Sequence, residues 1–213
     1  MKKENTQQKI TKGEKTKQKL FSSAAKLFNQ YDFEEVTVDK IVEEAGVAKG
    51  TFYIHFESKD ALIAAYLSDY VRETDTNYRA ILYTFSPETP TPRILMGLTE
   101  KIADILSDTI GVISMKTVYK LMLMNSFDMS AVSGYGRDLY LMFSELLDRG
   151  IKRKEFNNTM PVNEIARHFV MAIRGLCFEW CIRYPDFDLK AQVQSHFKIM
   201  LDGILTKQET HDQ

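Results

Sequence analysis

A short segment in the first third of the chain holds several side chains whose types and spacing suit contacts with a nucleic acid. Thr51, Tyr53 and His55 carry polar or amphipathic groups that can hydrogen-bond to base edges or phosphates, and Thr51 can also touch a thymine methyl group. Lys49 and Lys59 flank them as cations for the phosphate backbone. The alternative is that Tyr53 and His55 are ordinary surface residues of a small helix.

The residues around this segment predict two short helices joined by a tight turn. The first helix is apolar at helical spacing, at Val38, Ile41, Val42 and Ala45. Thr37 precedes it as a capping hydroxyl, and Gly46 follows where a helix can end through a left-handed residue. The second helix, at about 49–56, has a thin buried side formed by Phe52 and Phe56. This arrangement is typical of a helix-turn-helix, whose second helix lies in the DNA major groove.

The same stretch resembles the DNA-contacting segment of the TetR-type (TetR/AcrR) bacterial transcriptional regulators. The shared residues are Gly46-Val47, Gly50-Thr51-Phe52-Tyr53, His55-Phe56 and Lys59-Asp60-Ala61-Leu62. By this resemblance, seven residues occupy positions that contact the operator: Thr37, Lys49, Gly50, Thr51, Tyr53, His55 and Lys59. Gly50 would let the start of the helix approach the DNA closely.

Three residues depart from the usual family pattern. Val42 stands where the family often has Ala, Asp32 where it often has Gly, and Ala48 where it often has a capping Ser. Asp tolerates the left-handed conformation fairly well. A missing hydroxyl at Ala48 would cost about 1 kcal/mol at the start of the helix. None of the three removes a group that contacts DNA in the family.

The charge of the chain is distributed unevenly. The 213 residues are 44% hydrophobic and 27% charged, as in an ordinary globular protein, and the net charge is −1. Before Leu20, however, seven lysines face two glutamates, which suits phosphates, although a solvated tail is the alternative. The chain has no apolar run long enough to span a membrane and no signal-peptide core, so we expect a cytoplasmic protein.

Apolar periodicity predicts an all-α protein of nine or ten helices without strand-like alternation. A helix at about 16–31 would support the helix-turn-helix, and a long helix at 59–82, capped by Ser58, would end before the prolines at 86–92. The remaining helices are predicted at about 93–107, 112–127, 137–154, 162–184 and 189–205, with a turn at 108–111. The helix at 112–127 is apolar on nearly every side and is therefore expected to be central.

The resemblance implies a three-helix head joined by the long helix to a helical body. The predicted parts are a flexible basic tail at 1–12, a helix-turn-helix DNA-binding domain at 13–60, a helical effector-binding and dimerisation domain at 61–206, and a flexible tail at 207–213. One helix-turn-helix buries too little surface for tight specific binding, so such proteins dimerise and bind two half-sites.

Large apolar residues on the two helices at 137–154 and 162–184 exceed the evident needs of one core. In the family, the corresponding helices pair with those of a second copy as a four-helix bundle. The candidate interface residues are Tyr140, Phe143, Leu147, Phe169, Ile173, Leu176 and Trp180. The alternative, which must hold for some of them, is an ordinary intrachain core.

The family also has an inducer pocket beneath the long helix. The candidate lining residues are Tyr66, Tyr70, Met96, Tyr119, Met122 and Phe127. Methionine adapts to varied apolar shapes, so such a pocket suits a small apolar or aromatic effector, and core filling is the alternative. No pair of opposite charges in the sequence singles out a ligand class.

Catalytic and metal-binding patterns are absent from the sequence. It contains no nucleophile elbow, no phosphate-binding glycine loop and no metal-ligand spacing among its four histidines, so we expect neither an enzyme nor a metal or cofactor site. Cys177 and Cys181 lie one helical turn apart in an apolar run, which favours two reduced core thiols and leaves a redox role open.

The function favoured by these observations is that of a homodimeric repressor that binds a palindromic operator and is released by a small, largely apolar effector. Two alternatives remain. One is a small-molecule-binding protein with vestigial DNA binding. The other is an effector-independent DNA-binding protein controlled by a protein partner.

Overall fold

A computed structural model describes residues 11–28, 30–31, 34–124, 128–157 and 160–206. The chain divides into two compact units, Met1–Leu67 and Ser68–Gln213, called here the head and the body. The division falls inside the long helix, later than the predicted boundary after residue 60. The predicted tail at 207–213 and most of the tail at 1–12 lie outside the described residues.

Within the described ranges the chain forms ten α-helices, and its one β interaction is an isolated bridge between Phe156 and Leu205. The helices that begin in the head are α1 (Lys12–Phe28), α2 (Val38–Ala45), α3 (Lys49–His55) and α4 (Lys59–Leu82). Those of the body are α5 (Thr91–Asp104), α6 (Gly111–Met124), α7 (Ser130–Ser133), α8 (Asp138–Lys152), α9 (Val162–Arg183) and α10 (Leu189–Ile204). The predicted all-α class is confirmed.

Helix α1 begins earlier than predicted because of a capping box. The Glu14 backbone N–H donates to the Thr11 hydroxyl at 3.2 Å, and the Thr11 N–H donates to the Glu14 carboxylate at 2.7 Å. Residues 11 and 12 therefore belong to an ordered helix start and not to a tail. The helix also ends earlier, so Tyr31 is 46% exposed instead of lying on the buried face. Asp32 lies outside the described residues.

The core of the head is formed by one face each of α1 and α2, together with the rings of α3 and the first turns of α4. Its buried apolar residues are Leu20, Phe21, Ala24, Leu27, Val36, Ile41, Val42, Ala45, Phe52, Phe56, Leu62, Ile63 and Leu67. An ion pair of 2.6 Å between Lys26 and Glu44 also joins α1 to α2. Packing of these small helices against one another, more than helix propensity, holds them in place.

Helix α4 has the predicted bounds. The Ser58 hydroxyl accepts a hydrogen bond from the Ala61 N–H at 3.0 Å and so caps its start. The helix ends at Leu82, before the proline-rich segment, and α5 begins at Thr91 with Pro92 in its first turn.

The body has one apolar core shared by α5, α8, α9 and α10. Helix α8 packs on α5 and α9, and α10 packs on α5 and α9. At the centre, the Phe169 ring lies 5.6 Å from that of Phe143 and 5.4 Å from that of Phe197. Within the described ranges no helix is both long and apolar enough to span a membrane.

Two expectations for the body are wrong. The predicted turn at 108–111 is instead a π-helical segment, Ile105–Ile110, which continues α5 up to Gly111 at φ 77°. Helix α6 is also not central: it exposes one face, at Ile113, Lys116, Lys120, Leu123 and Met124, and fully buries only Met115 and Leu121. The helix carries apolar side chains at exposed positions as well as at buried ones, so its sequence pattern predicted burial on every side.

Two arginines fix the second half of α4 to the start of α8. Arg137 donates through Nε and Nη2 to both carboxylate oxygens of Asp75, at 2.6 to 3.1 Å, and Asp75 is 3% exposed. Arg79 pairs with Asp138 at 2.6 Å and with Glu145 at 3.0 Å. The bidentate geometry makes each link directional as well as electrostatic.

Candidate nucleic-acid interface and effector cavity

The turn before α3 has the predicted geometry. The Thr37 hydroxyl accepts a hydrogen bond from the Lys40 N–H at 3.2 Å, so it caps α2. Gly46 has φ 63° and ψ 41°, a left-handed conformation, and its N–H bonds back to carbonyls of the last turn. Thr37 is exposed and uses only its oxygen as the cap acceptor, so its O–H remains able to donate to a phosphate.

Helix α3 is held in place by two phenylalanine rings. Phe52 is 0% exposed, with its ring 5.8 Å from that of Phe56, and the Phe56 ring lies 5.4 Å from that of Phe21 in α1. Ala48 precedes the helix and makes no side-chain cap hydrogen bond, as its methyl group requires. Ring packing therefore stabilises α3 where capping does not.

The outward face of α3 brings together most of the predicted DNA-contacting residues. Lys49, Gly50 and Tyr53 are exposed along one arc of the helix, and Tyr53 is 51% exposed. Thr51 and His55 lie half-buried at the edges of that arc. Residues four apart share one helix face, which is why this short segment can present several groups to one partner.

Ile54 also belongs to this face, although it is not among the residues predicted to contact DNA. Its side chain is 81% exposed, more than that of any other large apolar residue in the described ranges. An apolar residue in a short helix is usually expected to be buried, so Ile54 was not predicted to face outward. Ile54 lies four residues after Gly50 and one after Tyr53. This spacing puts it beside two residues predicted to face the DNA and could have predicted its outward direction. An exposed branched apolar side chain there is suited to contact a thymine methyl group.

The two predicted backbone-binding lysines differ in their surroundings. The Lys49 ammonium lies 2.8 Å from the Asp39 carboxylate, and this hydrogen-bonded pair raises the lysine pKa. Both side chains are more than half exposed, so a phosphate can replace Asp39 at little cost. Lys59 is half-buried at the start of α4, and burial lowers its pKa.

Exchanging each glycine of the turn and α3 for alanine should have opposite effects on stability. Gly46→Ala should destabilise the head by about 1–2 kcal/mol, because alanine is strained in the left-handed conformation although no atom crowds the site. Gly50→Ala should stabilise it by about 0.5–1 kcal/mol, because alanine favours a helix and the site is open.

The same two variants distinguish an effect on the stability of the head from an effect on DNA binding. If Gly50 lies against the duplex, Gly50→Ala should weaken operator binding about tenfold although the head is more stable, an energy difference of about 1.4 kcal/mol. Denaturant unfolding and gel-shift titration measure the two quantities. Unchanged operator affinity in Gly50→Ala would remove Gly50 from the contact surface.

The body contains a partly open cavity of about 80 Å³. Its lining is mostly apolar: Tyr78, Ile102, Leu106, Met115, Val118, Tyr119, Met122, Val132, Arg137, Leu139, Val170, Ile173, Arg174 and Cys177. Burial raises the pKa of both tyrosines, Tyr78 and Tyr119, and hydrogen bonding to Cys181 together with burial raises that of Cys177. These groups are therefore neutral walls at physiological pH, and Cys177 and Cys181 are buried free thiols, as expected.

The cavity includes only part of the predicted effector-contacting set. Tyr119 and Met122 line it. Tyr66 lies in the head, with its ring 5.5 Å from that of Phe21, and Met96 packs on the body core elsewhere. Tyr70 borders a separate, more polar cleft, and Phe127 lies outside the described residues. Helical spacing alone did not show which side of each helix faces the cavity.

The predicted dimer-interface residues need a similar correction. Six of the seven are 0% to 5% exposed within a single chain: Tyr140, Phe143, Leu147, Phe169, Ile173 and Trp180. Leu176 is half-buried against the same core. A side chain with almost no exposed surface cannot contact a second chain, so these residues form the intrachain core. The outward sides of the same two helices carry other apolar residues, Leu141, Met171, Phe178 and Ile182, which are 40% to 60% exposed.

The fold and the α3 face define a class of protein, namely a helix-turn-helix DNA-binding protein with a separate helical body. Residues 20–66 match the sequence profile described as bacterial regulatory proteins, tetR family. The matched residues cover most of the head, so the head is a DNA-binding domain of this type, and the chain is a DNA-binding regulator of transcription.

Relatives extend the likeness over most of the chain. The transcriptional repressor KstR2 of Rhodococcus jostii is 21% identical over 185 residues, covering 87% of this chain and 89% of that protein. The transcriptional regulator AcrR of Shigella flexneri is 21% identical over 199 residues, covering 90% of each. These relatives are regulators, which confirms the prediction that the chain is not an enzyme.

A solved structure agrees with the fold. The transcriptional regulator FadR of Bacillus subtilis, determined in complex with stearoyl-CoA, has a TM-score of 0.72 and 17% sequence identity. The match covers 88% of this chain and 98% of that one. At this identity, the likeness concerns the arrangement of the helices.

Proposed function

We propose that the protein is a cytoplasmic repressor that binds a palindromic operator as a homodimer and is released by a small, largely apolar effector. The observation that carries the proposal is the outward face of α3, where Lys49, Gly50, Tyr53 and Ile54 are exposed together on a helix anchored by buried rings. Such a face has the groups that major-groove recognition needs, namely a cation, a hydroxyl and an apolar contact.

A second copy is required because a single head contacts one half-site. Two half-sites lie about 34 to 36 Å apart on the duplex, so two heads must be joined at a set distance. On α9, Met171, Phe178 and Ile182 recur at i, i+7 and i+11, with Gly175 between them, and Leu141 is exposed on α8. This apolar face is the proposed dimer surface.

The Ile182→Glu variant should convert the dimer to a monomer. Ile182 is 60% exposed in one chain, and at a symmetric interface two new carboxylates would be buried without cationic partners. Sedimentation equilibrium measures the change. The matched control is Ile199→Glu, 69% exposed on α10, which should stay dimeric. Equal effects of both variants, or a dimeric Ile182→Glu, would place the interface elsewhere.

The proposed effector site is the body cavity. Its volume of about 80 Å³ is smaller than the about 150 Å³ that holds benzene in an engineered apolar cavity, so a larger effector must either move the walls or extend through the opening. One wall residue, Tyr78, belongs to α4. We propose that effector binding displaces α4 and changes the separation of the two heads, which releases the operator. The two affinities should then oppose each other by about 1 to 3 kcal/mol.

A salt-titrated gel shift with DNA from upstream of the chain's own gene tests the proposal. We expect the protein to bind that DNA more tightly than a scrambled duplex. The logarithm of its binding constant should fall linearly with the logarithm of the salt concentration. If the protein binds no duplex even at low salt, the result favours the alternative of a small-molecule-binding protein. Thermal shift against apolar compounds tests the effector, because a true ligand raises the melting temperature. An operator-binding protein that no compound stabilises would favour control by a protein partner.

A further inference from the structure

Arg174 stands out among the residues that line the body cavity because its charge has no carboxylate partner among the described residues. Its Nη2 donates to the Val132 carbonyl at 2.9 Å, and its guanidinium lies 5.5 Å from the centre of the Tyr140 ring. Neither contact neutralises the charge. Of the described residues that line the cavity, none is acidic.

Arg137, the other cation of the cavity wall, differs from Arg174 in having a carboxylate partner. Both carboxylate oxygens of Asp75 accept hydrogen bonds from its Nε and Nη2. Its charge is therefore compensated inside the protein. Among the described residues, Asp75 pairs with Arg137 and forms no ion pair with Arg174. The described wall of the cavity thus carries one uncompensated positive charge.

The aromatic ring beside Arg174 belongs to Tyr140, whose own polar group is unsatisfied. The Tyr140 hydroxyl is buried and has no hydrogen-bond partner among the described residues, although almost all buried hydroxyl groups in proteins have one. Its ring carries the Arg174 guanidinium on one face. Tyr140 is not among the residues that line the cavity, so its ring supports Arg174 from behind the described wall.

We propose that the effector is an anionic amphiphile, with an apolar body inside the cavity and one carboxylate-like group paired with Arg174. The inference rests on the proposed effector site and names the chemical class that it binds. An entirely apolar ligand would remove water from Arg174 without replacing it, which is costly for a charged group. An anion restores the lost interaction through a charge-assisted hydrogen bond, and a planar carboxylate matches the geometry of a guanidinium.

Matched pairs of probes that differ only in charge test the inference. Calorimetric titration of the full-length dimer with hexanoate, octanoate, decanoate and phenylacetate is compared with hexan-1-ol, octan-1-ol, decan-1-ol and 2-phenylethanol. At least one acid should bind about tenfold or more tightly than its own alcohol. If no acid of the four binds better than its alcohol, the inference is overturned.

Variants then assign the preference to Arg174. Arg174→Met should abolish the preference for the acid, and Arg174→Lys should retain part of it. Arg167→Met is the matched control, because Arg167 lies on the same helix, 4.4 Å from the Tyr135 ring, and outside the cavity lining. It should keep the full preference. If Arg174→Met folds and discriminates like the native protein, or if only Arg167→Met loses discrimination, the assignment is wrong. If Arg174→Met does not fold, Arg174→Gln is measured in its place. This variant should also lose the preference for the acid over its alcohol, and a retained preference would show that the assignment is wrong.

The outcome is independent of DNA binding. If the native protein binds its operator and no acid is preferred, the anionic class is wrong and the proposed regulator stands. If the acid is preferred but no duplex is bound, the proposed function fails while the anion site stands.

Discussion

Replacing Arg137 by methionine should lower the free energy of unfolding of the body by about 3–5 kcal/mol, the range found when one partner of a buried ion pair is removed. The side chains of Arg137 and Asp75 are 14% and 5% exposed, the most buried pair among the ion pairs of the described residues. The variant leaves the Asp75 carboxylate buried, without its two nitrogen donors and with little access to water. Chemical denaturation followed by circular dichroism measures the loss.

Two further variants separate the charge from the packing. Arg137→Met combined with Asp75→Leu should recover most of the lost stability, because no buried charge remains and similar replacements have been neutral or stabilising. Arg183→Met is the control: its pair with Glu179 is 65% and 47% exposed, so removal should change stability by less than about 1 kcal/mol. A loss below about 1 kcal/mol in Arg137→Met would mean that Asp75 finds water or another donor.

The Phe52→Ala variant should unfold the helix-turn-helix and abolish operator binding. Large-to-small replacement of a buried phenylalanine costs about 3–5 kcal/mol, and Phe52 is 0% exposed. Helix α3 has seven residues and no side-chain cap, so ring packing is its main support. A unit as small as the head has little stability to spare. Hydrogen exchange of the α2 and α3 amides should become fast, while protection in the body and the proposed dimer should persist.

Tyr53→Ala is the matched variant for Phe52→Ala. Tyr53 is the next residue in the same helix but is 51% exposed, so stability should change by about 0.5 kcal/mol or less. Operator affinity should nevertheless fall by about 1–3 kcal/mol if the side chain contacts a base. Normal hydrogen exchange with tenfold or weaker operator binding is the expected combination. Native operator affinity in Tyr53→Ala would contradict its place in the interface, and native affinity in Phe52→Ala would contradict the role given to the ring.

The elements of the head and the long helix followed from neighbouring residues. Thr37 and Gly46 specify the start and end of α2, and Ser58 and the proline-rich segment set the two ends of α4, because capping and backbone preference act within a few residues. The main local error, the late start assigned to α1, came from overlooking Thr11 and Glu14, which form a capping box recognisable from their spacing.

Most of the other predictions that failed concern the direction in which each apolar face points. Phe143 and Leu141 lie on the same helix and are both large and apolar, yet one is 0% and the other 51% exposed in a single chain. Periodicity shows that a helix has apolar positions but does not distinguish a core from an oligomer surface, because both bury apolar area with the same spacing. The position of Ile54 on the outward face of α3 was missed for the same reason.

The sequence by itself determined the helical class, the helix-turn-helix and the long helix, because hydrogen bonds, caps and turns join residues that are close along the chain. Only the tertiary structure decided which side chains line the cavity, and that Asp75 meets Arg137 from 62 positions away while Arg174 has no carboxylate partner in the part of the chain that the structure describes. Such contacts arise where helices cross, and the direction of each crossing depends on the packing of the whole body.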